Sequence, residues 1–285
     1  MVIDFHTHIF PDQIASRAVG KLAASSGLQA HTDGSADGLL REMEDGGADL
    51  SIILPVVVKP QNYESMADFA LKINERYYKG WPGQEPGSRQ LLSFGGLHPR
   101  DPEYKAHLRD LADRGFKGIK IHPDYQETFI NEPCMLRLIE EAAGLGMIIS
   151  IHTGFDPGLP PPVHCPPELL QEVARDIAYD RMVLAHLGGY EYFDRTLELI
   201  AGECPCFMDL GATLSGHVPD GLILAFIEKH GADKILFATD SPWSGQKEDI
   251  AYMKGLPLAE ADLEKILWKN AARLLGFAAH DRQGS

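Results

Sequence analysis

The sequence predicts a (β/α)8 barrel, the TIM-barrel fold, in one domain over residues 1–285, and three observations predict it. Eight short apolar runs alternate with amphipathic stretches, the pattern of a parallel sheet with helices outside. The length allows eight units of roughly 30 residues, an ordinary size for a closed barrel. Histidines and an aspartate recur at the C-terminal ends of the predicted strands, the face on which such barrels build their sites. No Gly-rich dinucleotide loop follows any strand, which sets aside an open doubly wound sheet.

The first strand, Val2–His8, alternates strictly: Ile3, Phe5 and Thr7 point one way, Asp4, His6 and His8 the other. A helical stretch runs from Pro11 to about Ser25, and the polar segment Ser26–Ala36 reads as an insertion. Helix Ala36–Gly46 carries Leu39, Leu40 and Met43 at helical spacing. Leu50–Val58 is a continuous apolar run, as in a strand buried on both faces. Asn62–Tyr78 is an amphipathic helix, and Trp81–Arg89 is a Gly- and Pro-rich loop. The third strand, Leu91–Leu97, ends at His98-Pro99-Arg100, and helix Glu103–Gly115 follows. Strand four, Gly118–His122, places Lys120 and His122 on one face; helix Glu132–Gly144 stops at glycine.

Strand five, Met147–His152, leads into a Pro-rich loop from Asp156 to Pro167 and a helix to Tyr179. Strand six, Arg181–Ala185, ends in His186-Leu187-Gly188-Gly189, and Tyr190–Gly202 is helical. Strand seven, Cys206–Leu210, precedes helix Pro219–Gly231. Strand eight, Lys234–Ala238, ends in Thr239-Asp240-Ser241-Pro242-Trp243, and helices Lys247–Lys254 and Ala259–Leu275 close the chain.

Composition narrows the function classes. Apolar residues make up 44% and charged ones 24%, a globular balance. The net charge of −15 argues against nucleic acid or an anionic membrane as partner. No apolar run reaches the roughly 18 residues of a transmembrane helix, and no signal peptide precedes the first strand. The four cysteines, Cys134, Cys165, Cys204 and Cys206, form neither a CxxC pair nor a disulfide framework, which points to a reducing, cytoplasmic setting. Cys204-Pro205-Cys206 reads as the lead into a strand rather than a metal site.

Chemistry concentrates in His6, His8, His152, His186 and Asp240, scattered along the chain but converging at one end of a barrel. Three imidazoles and a carboxylate suit a borderline divalent ion such as zinc with a position open to water. Burying such groups for packing alone would cost several kcal/mol. Lys120, His122, His98 and Arg100 form an expected basic rim, which in an acidic protein predicts a small anionic substrate. Asp4 reads as a supporting group and Trp243 as an apolar wall. His164 and His217 read as solvated loop residues; His31, His107, His230 and His280 read as surface residues.

The motifs DFHTH, GIKIHP, SIHTG, VLAHLGG, FATDSPW and KNAARLLG together resemble the amidohydrolase superfamily over essentially the whole chain. The similarity is greatest to amidohydrolase family 2, metal-dependent TIM-barrel hydrolases related to aminocarboxymuconate semialdehyde decarboxylase-like enzymes. That resemblance implies one divalent metal, best zinc, on His6, His8, His152 and Asp240, with His186 catalytic or metal-adjacent. The family does not fix the reaction; the expected one is hydrolysis of a small carboxylated amide, ester or lactone by metal-activated water, with Asp240 moving the proton and His186 polarising the carbonyl. Nonoxidative decarboxylation of a small carboxylic acid is the alternative within the family, and a metal-binding barrel without turnover is a third class. In binuclear relatives a strand-four lysine is carboxylated and bridges two metals; the branch resembled here implies an unmodified Lys120 and one metal. Association into a homo-oligomer is compatible with the sequence.

Overall fold

The structure, a computed structural model, describes residues 1–81 and 87–277. Residues 82–86 of the expected Gly/Pro loop, and His280, lie outside the described residues. Nine short parallel strands are present among them: β1 (Ile3–Thr7), β2 (Leu50–Ile53), β3 (Gln90–Ser93), β4 (Gly95–Gly96), β5 (Gly118–Ile121), β6 (Ile148–Ile151), β7 (Met182–Leu184), β8 (Phe207–Asp209) and β9 (Ile235–Leu236). Each pairs with the next in sequence order, except that β3 and β4 are two halves of the expected third strand. The chain leaves β2 at Phe94 and takes up β5 at Gly95. Only glycine fits that step: a Cβ on Gly96 would lie 2.6 Å from the Pro55 carbonyl oxygen.

Hydrogen bonds past the end of β9 close the cylinder. Phe5 N–H donates to Phe237 O at 2.9 Å, Asp240 N–H to His6 O at 2.8 Å and His8 N–H to Ser241 O at 2.6 Å. The molecule is therefore the TIM barrel the strand pattern predicts.

Helices α1 (Ala15–Ser26), α2 (Ala36–Gly46), α3 (Tyr63–Tyr77), α4 (Tyr104–Asp113), α5 (Pro133–Gly144), α6 (Pro167–Ile177), α7 (Phe193–Leu199), α8 (Asp220–His230) and α9 (Gln246–Gly255) surround it. Alternation along the strands divides the core in two. Ile53, Ile121, Ile151, Leu184 and Met208 face outward and pack with helix residues such as Met43, Leu111, Leu138 and Phe226. Phe5, Ile52, Phe94, Ile148, Val183, Phe207 and Leu236 face inward with Leu274 of the closing helix. That helix is interrupted: α10 (Glu260–Glu264) and α11 (Asn270–Leu274) flank a π-helical turn, Lys265–Lys269. The widened turn frees the Ile266 carbonyl to accept Phe237 N–H at 3.0 Å, fastening helix to barrel.

The first strand departs from strict alternation. Between Asp4↔Ser51 and Thr7↔Ile53 the register slips, so β1 carries one residue more than β2. This bulge puts Ile3 and Phe5 in the inner core, while His6 and His8 still turn toward the barrel mouth. Asp4 ends on the other side, held by Thr239 and Gln246 rather than sharing the histidines' face. The expected insertion is a strap across the mouth: Phe10 N–H donates to Gly34 O and His31 N–H to Pro242 O, both at 2.8 Å.

Candidate metal centre

His6 Nε2, His8 Nε2 and Asp240 Oδ1 converge at the mouth of the barrel. The nitrogens lie 3.1 Å apart, and Asp240 Oδ1 is 3.3 Å from His6 and 3.1 Å from His8. Local partners decide which atoms carry hydrogen. His6 Nδ1 is 3.0 Å from Asp209 Oδ2 and His8 Nδ1 is 2.9 Å from the Leu54 carbonyl. Both partners only accept, so both Nδ1 atoms carry the proton and both Nε2 atoms present lone pairs. Three acceptors then face one another with no hydrogen between them; the Lys120 ammonium, 3.1 Å from His6 Nε2, reaches one of them from the side, and Asp240 Oδ1 is buried without a hydrogen-bond partner. Such a set repels itself unless a cation sits among it, so the residues fit a divalent ion.

Asp240 reaches this place through a strained turn, with φ +66°. A non-glycine residue there costs on the order of 1–3 kcal/mol. Asp4 holds the turn: Thr239 N–H and Oγ donate to its carboxylate at 3.0 and 2.6 Å, and Gln246 Nε2 donates at 2.8 Å. Burial outweighs these donors and pushes Asp4 up to about 7. Asp4 is thus a support for the site, as expected.

The sequence reading missed Asp209. It lies at the end of β8, fully buried, and its Oδ1 accepts from the backbone N–H groups of His186 and Gly211, each at 3.0 Å. Burial would raise its carboxyl, but the His6 ring, His186 and Lys120 hold it down at about 2. One signal was available: an acidic residue in the inward register of an otherwise apolar strand. Gly211 makes room for this packing, since a Cβ there would stand 3.1 Å from both Asp209 Oδ1 and His6 Nδ1.

Lys120, fully buried, places Nζ 3.1 Å from His6 Nε2. Burial lowers it to about 8, against the pull of Asp209 and Asp240. Burial and the Lys120 charge together push His6 down to about 4, so its ring is neutral at pH 7 and its Nε2 lone pair faces both the Lys120 ammonium and the trio. Asp240 is disfavoured by burial yet held well below the usual carboxylate range by His6, His8 and His186.

His152 stands apart from this trio. Its ring stacks on His122 at 3.9 Å, and the two form a second group of potential ligands with Asp156. His122 Nε2 is 3.2 Å from Asp156 Oδ2, and its Nδ1 accepts Tyr125 N–H. His186 donates from Nδ1 to Gly211 O at 2.9 Å, so its Nε2 accepts from His152 Nδ1 at 3.0 Å. That leaves His152 Nε2 as a buried lone pair with no partner. With its one N–H spent on Gly211 O and its Nε2 accepting from His152, His186 has no N–H to offer a substrate carbonyl; the arrangement makes it the group that orients His152.

The basic rim does not form. His98 and Arg100 are absent from the lining of the cavity above the site. Arg100 turns outward to Glu132 Oε2 at 3.4 Å and Glu127 O at 3.0 Å, and its own N–H is accepted by His98 Nδ1. Opposite-charge neighbours won over the cavity. Lys120 and His122 do line it, as does Trp243. Three further histidines are better held than expected. His164 is bound to Asp124 at 2.7 Å; His107 pairs with Asp101 and stacks on Tyr63 at 3.8 Å; His230 is buried between Cys206 O and Gly202 N–H. His31 and His217 are exposed, as expected.

Comparisons with known proteins agree with this architecture. The amidohydrolase family model Amidohydro_2 matches residues 3–277. No curated protein matches the chain by sequence. Among solved structures, an uncharacterized TIM-barrel protein from Bordetella bronchiseptica superposes with TM-score 0.74 at 16% identity, covering 97% of this chain and 98% of that one. A dihydroxybenzoic acid decarboxylase from Polaromonas, with bound manganese and the inhibitor 2-nitroresorcinol, gives TM-score 0.66 at 15% identity over 96% of each chain. A probable 2-pyrone-4,6-dicarboxylic acid hydrolase from Acinetobacter baumannii, with citric acid bound, gives 0.65 at 15%, covering 97% of this chain and 99% of that one. At these identities the likeness is one of fold.

Proposed function

The chain belongs to the amidohydrolase family whose model spans residues 3–277, and from that premise we propose a metal-dependent hydrolase that cleaves a C–N or C–O bond of a small amide, ester or lactone. The observation that supports this reading is the meeting of His6 Nε2, His8 Nε2 and Asp240 Oδ1, three acceptors with no hydrogen between them, beneath an open cavity. We assign one divalent ion, best zinc, to His6, His8 and Asp240, with the unpartnered Nε2 of His152 as the fourth donor. Such an ion supplies Lewis acidity for activating water or polarising a carbonyl.

The chain's own groups do the rest. Asp240, ionised at neutral pH, takes the proton from the attacking water and returns it to the leaving group. Asp209 keeps the His6 tautomer, and Gly211 O keeps that of His186, which in turn orients His152. Lys120 is the one ammonium or guanidinium lining the cavity among the described residues and receives the anionic end of the substrate. The four free cysteines agree with work in a reducing compartment such as the cytoplasm.

The same lysine favours a second reading. A buried ammonium beside the donor trio is a counter-charge for a substrate carboxylate, as nonoxidative decarboxylation requires, with protonation at carbon in place of water attack. Zinc-loaded protein offered lactones, amides, esters and carboxylated aromatics separates the two. Hydrolysis without released carbon dioxide is the expected outcome; carbon dioxide from a carboxylated aromatic would transfer the assignment to the second reading, and no turnover across the panel would contradict both.

A further inference from the structure

Helices α1 and α3 each carry more apolar surface than the core consumes. On α1 the core face is Ala15 and Val19, and on α3 it is Tyr63, Ala67, Ala70 and Ile73. A second stripe lies beside each. Ala18 and Leu22 lie four apart on α1, with Ile14 as its N-cap, and Met66 and Phe69 lie three apart on α3, with Val58 five residues before it; Phe69 also packs in part against the core. All six line the cavity that ends on the metal floor. Ile14 and Val58 remain 38% and 41% exposed, an apolar rim where solvent favours charge.

The cavity measures about 590 Å³. At roughly 30 Å³ per water-sized group it holds about twenty such groups, more than a single carboxylated ring fills. Its ionisable lining, which includes Lys120, Asp156 and Asp240, is gathered at the strand ends around the donor trio. Ionisable groups at one end and a wall that is mostly hydrocarbon at the other, broken by Ser26, Asn62 and Ser65, are the layout of a site for an amphiphile.

We propose that this trough is an acyl-binding subsite, and that the substrate is an amide, ester or lactone carrying a flexible apolar chain that lies between α1 and α3. The assignment takes the reactive end from the metal-floor reading above; the tail subsite is read separately from it. Tail and head then divide the labour. The tail supplies affinity through burial of its methylenes, and the floor holds the bond to be broken.

Isothermal titration with n-alkanoates of four to ten carbons, against zinc-loaded and metal-stripped protein, tests the subsite without turnover. Affinity should rise with each methylene, up to about fourfold where it is fully buried, with the same slope in both forms. Ala18→Phe, which fills the trough from α1, should flatten the slope beyond the shortest chains and leave acetate binding unchanged; a thermal melt and the second variant Phe69→Ala, with a shallower slope, guard against misfolding. Affinity that does not change with chain length, or an Ala18→Phe slope equal to wild type in a folded protein, would overturn the proposal. A rising slope with no hydrolysis of any acyl ester or amide would count against the hydrolase reading and leave the subsite standing.

Discussion

Replacing Asp209 with asparagine should weaken metal binding without unfolding the barrel. The carboxylate has two tasks. Oδ1 accepts two backbone N–H groups, from His186 and Gly211, and Oδ2 accepts the Nδ1 proton of His6. Asparagine keeps the first task with its carbonyl oxygen but turns its NH2 toward His6 Nδ1. Donor then faces donor, and the relief is to move the His6 proton to Nε2, which removes the lone pair from the donor trio. Loss of such an outer partner typically costs 10–100-fold in metal affinity, about 1.4–2.7 kcal/mol. The backbone bonds that survive keep the metal-free melting temperature close to wild type. Competition between the protein and a zinc chelator, followed by absorbance, reads the affinity. A zinc affinity for Asp209→Asn within about twofold of wild type would refute the tautomer argument.

Three further outcomes follow from named contacts. Asp240→Asn keeps the side-chain volume but not the base, so kcat should fall by about 10² or more once a substrate is found; near-normal turnover would remove Asp240 from the proton pathway. Gly211→Ala places a Cβ 3.1 Å from Asp209 Oδ1 and His6 Nδ1, and should weaken zinc binding in a still-folded protein, measured by the same competition; unchanged affinity would mean the His6–Asp209 pair is not confined. His230 is buried as a neutral ring, its Nε2–H on Cys206 O and its Nδ1 accepting Gly202 N–H, and burial holds it below its usual value of 6.5. A depressed histidine contributes stability above the unfolded pKa that is lost as pH falls through the folded one. The melting-temperature gap between wild type and His230→Gln should therefore be largest at pH 7.5 and shrink below 6.5; a gap independent of pH would contradict the neutral assignment.

Much of this was legible in the sequence because it depended on local pattern. Period-two apolar runs and glycine-terminated helices placed the strands and helices, and a histidine or aspartate after a strand end belongs to the barrel mouth by geometry alone. What escaped depended on contacts between distant segments. The extra residue in β1 shows only against β2, so the alternation that put Asp4 beside His6 misled. Asp209 went unnoticed because its partners, His6 Nδ1 and the His186 N–H, are 203 and 23 residues away. Arg100 followed Glu132 outward, a choice between neighbours that no spacing encodes. His230 lacked a motif because its partner, Cys206 O, is 24 residues away, and the Tyr63 ring that stacks on His107 is 44 residues away.

The central claim is that one divalent ion belongs on His6, His8 and Asp240. Anomalous diffraction at the zinc edge, from crystals of zinc-loaded protein, tests it most directly. The account predicts a single peak within coordinating reach of His6 Nε2, His8 Nε2 and Asp240 Oδ1, with an unmodified Lys120 amine beside it. No peak at that position, or two peaks bridged by extra density on Lys120 Nζ, would contradict it.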